Sequence, residues 1–516
     1  MKKQAKGGIY NETSKEHVMN KVIRYSLIGV CAVLLAGCAV GPNFQRPAPP
    51  DVSDYTAMPL TTNLASAPTT LGKSQSIFKG KRLTRYWWRA LGNKELNKLI
   101  NEALEHNPTL IAAEATLRQA RELYAAQAGS TLYPQLNGNL GVQRQRFNPG
   151  ALGQAGKARE FSLYNAGLGV RYIFDLAGGN KRALEALAAR SNYQKFQLEG
   201  ARLSLVANIV TTAITQASLR KQIEIVENIL KSQEIQLKLT RERIRLGHGN
   251  PDDVYPLQTQ LAQTRAKLPM LRNQLQQNEH LLAVLIGRAP GKGPLPSFTL
   301  EDFDLPSELP LLIPSELVRA RPDILGAEAL LRAANAEYGV AISKLYPQLN
   351  LSGDLGTQAL TTGALFGPGS AVWSLVAQLT QPLFNPGLPA EKRAALAALD
   401  AAIANYQSVV LEALRNVADV LRALDNDSKR LQALAAADFA SQKFLESIQR
   451  RYRLGAANFY DLLVAQQQRL QTELDLIEGQ AKRLVNTVAF YQAMGGGLID
   501  ITRSAGHVSR AESERN

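Results

Sequence analysis

The chain is written twice. The segment NPTLIAAEATLR, from Asn107 to Arg118, returns as RPDILGAEALLR, from Arg321 to Arg332, at an offset of 214. LYPQLN, from Leu132 to Asn137, recurs unchanged as Leu345 to Asn350, at an offset of 213. RIRLGHGNPDDVYPLQTQ (Arg243 to Gln260) matches RYRLGAANFYDLLVAQQQ (Arg451 to Gln468) at an offset of 208, with Arg243/Arg451, Leu246/Leu454, Gly247/Gly455, Asn250/Asn458 and Asp253/Asp461 in step. Three collinear matches whose offsets drift so little require a duplicated unit of roughly 210 residues, and a period that long is one structural half used twice, not a solenoid.

Each half follows one plan. A helix of about 35 residues comes first (Asn93 to Gly129; Ser315 to Lys344), rich in Ala, Leu, Glu and Arg, with Pro322 at a first-turn position. The hydrophobic period then changes to two. Leu136, Gly138, Leu140 and Val142 alternate with Asn137, Asn139, Gly141 and Gln143, and Tyr164, Ala166, Leu168, Val170, Tyr172 and Phe174 share one face of the next strand. In the other half Leu349, Leu351, Gly353 and Leu355 are followed by Trp373, Leu375, Ala377 and Leu379. These are two hairpins, about 133–176 and 346–384, with loops near 148–160 and 360–371. Aromatics at the strand ends (Tyr133, Tyr172, Phe174, Tyr346, Trp373) suit interfacial girdles. Lys181 to Leu246 and Ala390 to Leu454 then run without Pro, long enough at ~1.5 Å per residue to reach on the order of 100 Å if continuous. Leu246-Gly247 and Leu454-Gly455 end them, and Val254 to Ile286 and Asp461 to Met494 return, so each half carries a long helical hairpin with a short tip, near 247–253 and 455–461.

The N-terminus reads as an address. Lys21 and Arg24 precede an apolar run from Ser26 to Ala36 that is too short to span a bilayer. Leu35-Ala36-Gly37-Cys38 resembles the bacterial lipobox, which implies a signal peptide over 1–37, an upstream extension over 1–18, and a lipid on Cys38. An ordinary signal peptide with a chance Cys is the plainer alternative. Ala39 after the Cys, where retained lipoproteins carry Asp, points to outer-membrane sorting. A lipid-anchored, Pro-rich strap (38–85) follows, with folded structure expected from Trp87-Trp88. The first repeat spans 86–287, a Pro-rich linker 288–314, the second repeat 315–495, and a polar tail 496–516.

The formal net charge of +15 raises nucleic acid as a partner. Removing 1–37 takes away Lys2, Lys3, Lys6, Lys15, Lys21 and Arg24 against Glu12 and Glu16, lowering the net charge by four. No recognition motif accompanies what remains, and the export signal argues against that partner. Two Cys, Cys31 and Cys38, and five scattered His leave no ligand set for a metal, and no catalytic motif is present, so neither an enzyme nor a cofactor is expected beyond the lipid on Cys38. With no run of 18 apolar residues after the signal, crossing by helices is not expected. Four amphipathic strands cannot close a barrel alone, since spanning barrels begin at about eight strands; three chains would supply twelve.

The lipobox followed by CAVGPNFQRP, the duplicated LYPQLN segments entering hairpins, and the duplicated RLG tips with Asp six residues after Gly together resemble the TolC-like outer-membrane factor family, in its lipoprotein branch of NodT-type efflux lipoproteins. The resemblance covers roughly residues 38 to 495. It implies a mixed α/β membrane protein, mainly α: a homotrimeric, twelve-stranded outer-membrane β-barrel continued by a long periplasmic α-helical barrel in a Gram-negative bacterium. It also implies the role of exit duct in a tripartite efflux pump, with a periplasmic adaptor and an inner-membrane transporter of RND type as partners. A non-conducting coiled-coil spacer lipoprotein is the alternative. In the family the periplasmic mouth closes at the hairpin tips, whose acidic position maps to Asp253 and Asp461 and whose aromatic position before RLG maps to Tyr452. Ala457 stands where some relatives carry a gate-holding Arg, which leaves closure to packing and to Asp461 with Arg451 or Arg453. Either Asp can equally be a first-turn residue favoured by the helix dipole. Leu246, Gly247, Leu454 and Gly455 are the candidate contacts for adaptor or pump.

Overall fold

The computed structural model describes residues 39–497, apart from 82, 154 and 249. The signal peptide with its extension, Cys38 and the tail beyond 497 lie outside the described residues. In chain order the elements are β1 (Ser76–Lys79), α1 (Lys94–His106), α2 (Pro108–Leu132), β2 (Gln135–Phe147), β3 (Arg159–Phe174), α3 (Gly179–Arg245), α4 (Val254–Leu285), β4 (Glu308–Leu311), α5 (Pro322–Ser343), β5 (Gln348–Ala359), β6 (Ala371–Thr380), α6 (Gly387–Arg453) and α7 (Phe459–Ala493). The repeat is visible in this order, and α3 and α6 have the same length, 67 residues.

The chain forms two compact units. One comprises the described residues up to Arg46 with Gln119–Asn192 and Ala329–Ala404; the other comprises Pro47–Arg118, Tyr193–Glu328 and the described residues from Asn405 on. The first unit holds a four-stranded antiparallel sheet in the order β2-β3-β5-β6. The second holds the main hydrophobic core, in which Trp87, Leu96, Ile100, Ile209, Ile214, Phe298, Leu484 and Phe490 are buried together. There Trp87 stacks on Tyr491, 5.1 Å between ring centroids, and burial pushes the Tyr491 hydroxyl up to about 12.

Three expectations change. The first helix is not continuous: Pro108 has no N–H to give to the preceding turn, so α1 ends and α2 starts afresh. Asn107 makes the joint, its Oδ1 accepting from the N–H of Thr109 at 2.9 Å and its Nδ2 donating to Leu285 O at 2.8 Å. The strap is folded well before Trp87. β1 pairs in parallel with β4, which lies in the linker between repeats, and Asn63 bridges to Ser76. Arg483, fully buried, donates to the carbonyls of Lys73 at 2.8 Å and Ala65 at 3.3 Å and to Gln75 Oε1 at 3.3 Å. Burial lowers its pKa. Third, α6 contains an 18-residue window of mean hydropathy 1.4, long and apolar enough to cross a membrane by composition. Its apolar residues, Leu, Ile and Val as well as Ala, are broken up by polar ones such as Asp400, Asn405 and Gln407, so no unbroken apolar run marks it.

Candidate functional site

The sheet of the first unit has two chemically distinct faces because every strand alternates and the register keeps like with like. On one face Leu136 pairs with Val170, Gly138 with Leu168 and Leu140 with Ala166. Leu168 then meets Leu355, and Tyr172 meets Leu351, while Leu355 meets Trp373 and Leu351 meets Ala377. Leu140 is 81% exposed and Trp373 78%, so this apolar face is uncovered in the single chain. Arg144, Arg146 and Glu160 end the stripe at the loop side, with Arg144 and Glu160 3.5 Å apart. Tyr172 and Phe174 meet edge to face at 4.9 Å at the other end. The opposite face carries Asn137, Asn139, Asn165, Arg171, Asn350, Asp354, Gln358, Ser374 and Gln378, interrupted by Ile173, Val372 and Val376. The strands have 13, 16, 12 and 10 residues, against about 9–11 needed to cross a bilayer at a tilt. Within the chain the outer edges of β2 and β6 are unpaired, and a two-faced sheet in lipid cannot keep open edges.

The second candidate is the pair of hairpin tips in the second unit, and here the duplicated RLG has a local physical cause. Gly247 and Gly455 sit at φ of 78° and 75°, the left-handed residue that ends a helix. Behind Gly247, the His248 N–H donates to Arg243 O at 2.8 Å and the Gly247 N–H to Ile244 O at 2.9 Å. Behind Gly455, the Ala456 N–H donates to Arg451 O at 2.8 Å and the Gly455 N–H to Tyr452 O at 3.1 Å. The same paired-bond helix stop is therefore built twice. Leu246 and Leu454 stand just before it and are exposed.

Beyond the stops the tips differ. Asn458 caps α7, its Oδ1 accepting from the Asp461 N–H at 2.8 Å while Asp461 Oδ2 accepts from the Asn458 N–H at 3.3 Å. At the first tip Asn250 caps a short turn, accepting from the Asp252 N–H at 3.0 Å, and Asp253 makes no side-chain cap bond. The two aspartates are thus equivalent in sequence but not in bonding. Among the described residues no ion pair joins Asp461 to Arg451 or Arg453. Arg451 donates to Ala456 O at 3.1 Å and Arg453 to Gln449 O at 3.4 Å, both bonds staying local to the C-terminal end of α6. Closer to the turns than the Gln466 to Gln236 bond at 2.9 Å, Arg243 also reaches across. Its Nη1 donates to the Tyr452 hydroxyl at a long 3.4 Å, with its guanidinium 5.8 Å from that ring's centroid. Tyr452 also meets Phe459, centroids 6.2 Å apart. Arg243 was not among the sequence candidates, although it is the repeat partner of Arg451, and that pairing was the signal available.

The chain as a whole is similar to known proteins. The family described as Outer membrane efflux protein matches residues 99–288 and 313–496. Outer membrane protein OprJ of Pseudomonas aeruginosa is 29% identical over 481 residues, covering 92% of this chain and 97% of that protein. Among solved structures, the outer-membrane channel OprN is similar with a TM-score of 0.79 at 28% identity, covering 89% of this chain and all of that one. The Neisseria gonorrhoeae MtrE outer membrane channel, in its open state, is similar with a TM-score of 0.77 at 27% identity, covering 89% of this chain and 99% of that one.

Proposed function

The chain belongs to the outer membrane efflux protein family, and from that membership we propose that it is the passive exit duct of a tripartite efflux pump in the outer membrane. One observation carries the reading: a four-stranded sheet, apolar on one face and polar on the other, with two unpaired edges. Three copies joined edge to edge give a closed twelve-stranded barrel whose apolar face meets lipid and whose polar face lines water. The largely uncovered apolar window of α6, 11% buried in the single chain, gains a neighbour in the same assembly. The α3–α4 and α6–α7 hairpins form the periplasmic tube, with their tips at its mouth, where an adaptor and an inner-membrane RND-type transporter deliver cargo. A lipid on Cys38 anchors the trimer to the outer membrane.

At the mouth, the Arg243 to Tyr452 contact ties the end of α3 to the end of α6, taking the place of a latch through Asp461. Three copies bring six tip aspartates together, and Asp253, without a cap bond, offers its charge to passing ions more fully than Asp461 does. The test is direct: detergent-purified protein should be a three-fold trimer, and in planar bilayers it should give stepwise single-channel currents. Trimers that never conduct would favour a structural spacer, and a conducting monomer would overturn the architecture.

A further inference from the structure

The residues directly after Cys38 are held in a built socket of the first unit. Arg182, on the first turn of α3, is 3% exposed. Its Nε donates to Val40 O at 3.1 Å, its Nη2 to Gly41 O at 3.1 Å and to Asn43 Oδ1 at 2.9 Å, and its Nη1 to Glu185 at 2.7 Å. Val40 N–H donates to Ala177 O at 2.9 Å, and Asn335 Nδ2, on α5, donates to Pro42 O at 3.0 Å. Arg332 lies over the Phe44 ring, 4.7 Å from its centroid. Space is the other half of the fit. Gly41 adopts φ of 86°, and a Cβ there would lie 2.8 Å from the Cα of Gly339; a Cβ on Gly339 would come within 3.0 Å of the Arg182 side chain. A free tether needs none of this, since a flexible leash gains nothing from a buried cation spending its donors on two carbonyls and an amide.

The geometry points to a docking site for the acylated N-terminus, in which Arg182, Asn335 and Gly339 hold residues 40–43 so that the lipid leaves the protein at one fixed place. Its position is informative. Ala39 packs on Gly178, only four residues past Phe174 at the aromatic end of β3, and four residues of chain reach at most roughly 14 Å. A diacylglyceryl group must start at the membrane interface, and the aromatic strand ends mark that level. This inference rests on the lipobox reading of Cys38, and the test separates the two.

Full-length protein in lipid vesicles, labelled with palmitate, is treated with chymotrypsin, which cuts after Phe44. The wild-type Phe44–Gln45 bond should resist, and the label should stay with the trimer. Arg182→Ala should raise the cutting rate by about tenfold or more and release the label on a short peptide, with Asn43→Ala intermediate. Should Arg182→Ala fail to assemble, Gly339→Ala crowds the same side chain and is read in its place on surviving trimers. Cys38→Ser should carry no label yet keep the bond protected, because the socket and not the lipid holds the strap. Label persisting on Cys38→Ser overturns the acylation site alone. Equal cutting of wild type, Arg182→Ala and Gly339→Ala overturns the docking site.

Discussion

Tyr452 is the side chain at the tips with the most specific assignment, because one hydroxyl accepts the contact that Arg243 makes between the two hairpins. Tyr452→Phe deletes that acceptor and keeps the ring, so the resting current in planar bilayers should rise while trimer mobility on native gels stays unchanged. On the same recordings Asp253→Asn should reduce cation preference more than Asp461→Asn, whose carboxylate is committed to a capping box. Equal effects from both would return the two aspartates to the status their sequence equivalence suggested. Glu473 offers a pH test in the second unit. Burial raises its pKa above the ordinary 4.5, against a lowering by Arg469. A carboxylate raised on folding disfavours the folded state only where it is ionised. The penalty is absent below 4.5, appears as pH rises from there through the raised folded value, and is complete above it. Glu473→Gln should therefore raise the thermal midpoint at neutral pH and leave it unchanged at about pH 4; a drop at neutral pH would show that the Arg469 pair outweighs burial. Arg182 and Arg483 were illegible in the sequence for a physical reason, whereas Arg243 had only its repeat pairing with Arg451 to mark it. An Arg on a helix reads as a solvated charge, and only the chain that packs over it, distant in sequence, turns it into a staple.

Among the elements, the hairpins were the most legible, because a strict period of two leaves a single choice of face and a slip by one residue would invert it. The observed pairs Leu349 with Leu379, and Leu355 with Trp373, are those the alternation demands. The helix ends at the tips were equally plain, since Gly in a left-handed turn has few substitutes. Less legible was β1, four residues whose partner lies in a linker more than 200 residues away; so short a strand has no period to read. The faces can be tested by neighbours. Leu140→Arg places a cation on the apolar face and should cost about 2–4 kcal/mol if it lies near the membrane midplane. Asn139→Arg, one residue back on the polar face, should be tolerated. The comparison is heat stability of trimers extracted from membranes, and equal losses would mean that the faces are not lipid and lumen.

In the proposed trimer the sheet closes only in company, and that has a consequence for inheritance. In that proposed ring the open edges of β2 and β6 each pair with the other on a neighbouring copy, head to tail. A chain with Val376→Pro and Ala377→Pro has a ruined β6 edge but an intact β2 edge, so a healthy neighbour can still accept it, after which the ring cannot close. Made alone, such a chain should yield no channels. Made beside an equal amount of wild type, it should leave only roughly one ring in eight free of a bad copy, and the yield of closed channels should fall below that of cells with half the normal gene dose. Trimer yield falling only to half would show that damaged copies are refused at the first encounter. A lesion of one open edge is in this sense dominant: the allele spoils the product of its healthy partner, and a single damaged gene copy is felt as though nearly all were lost.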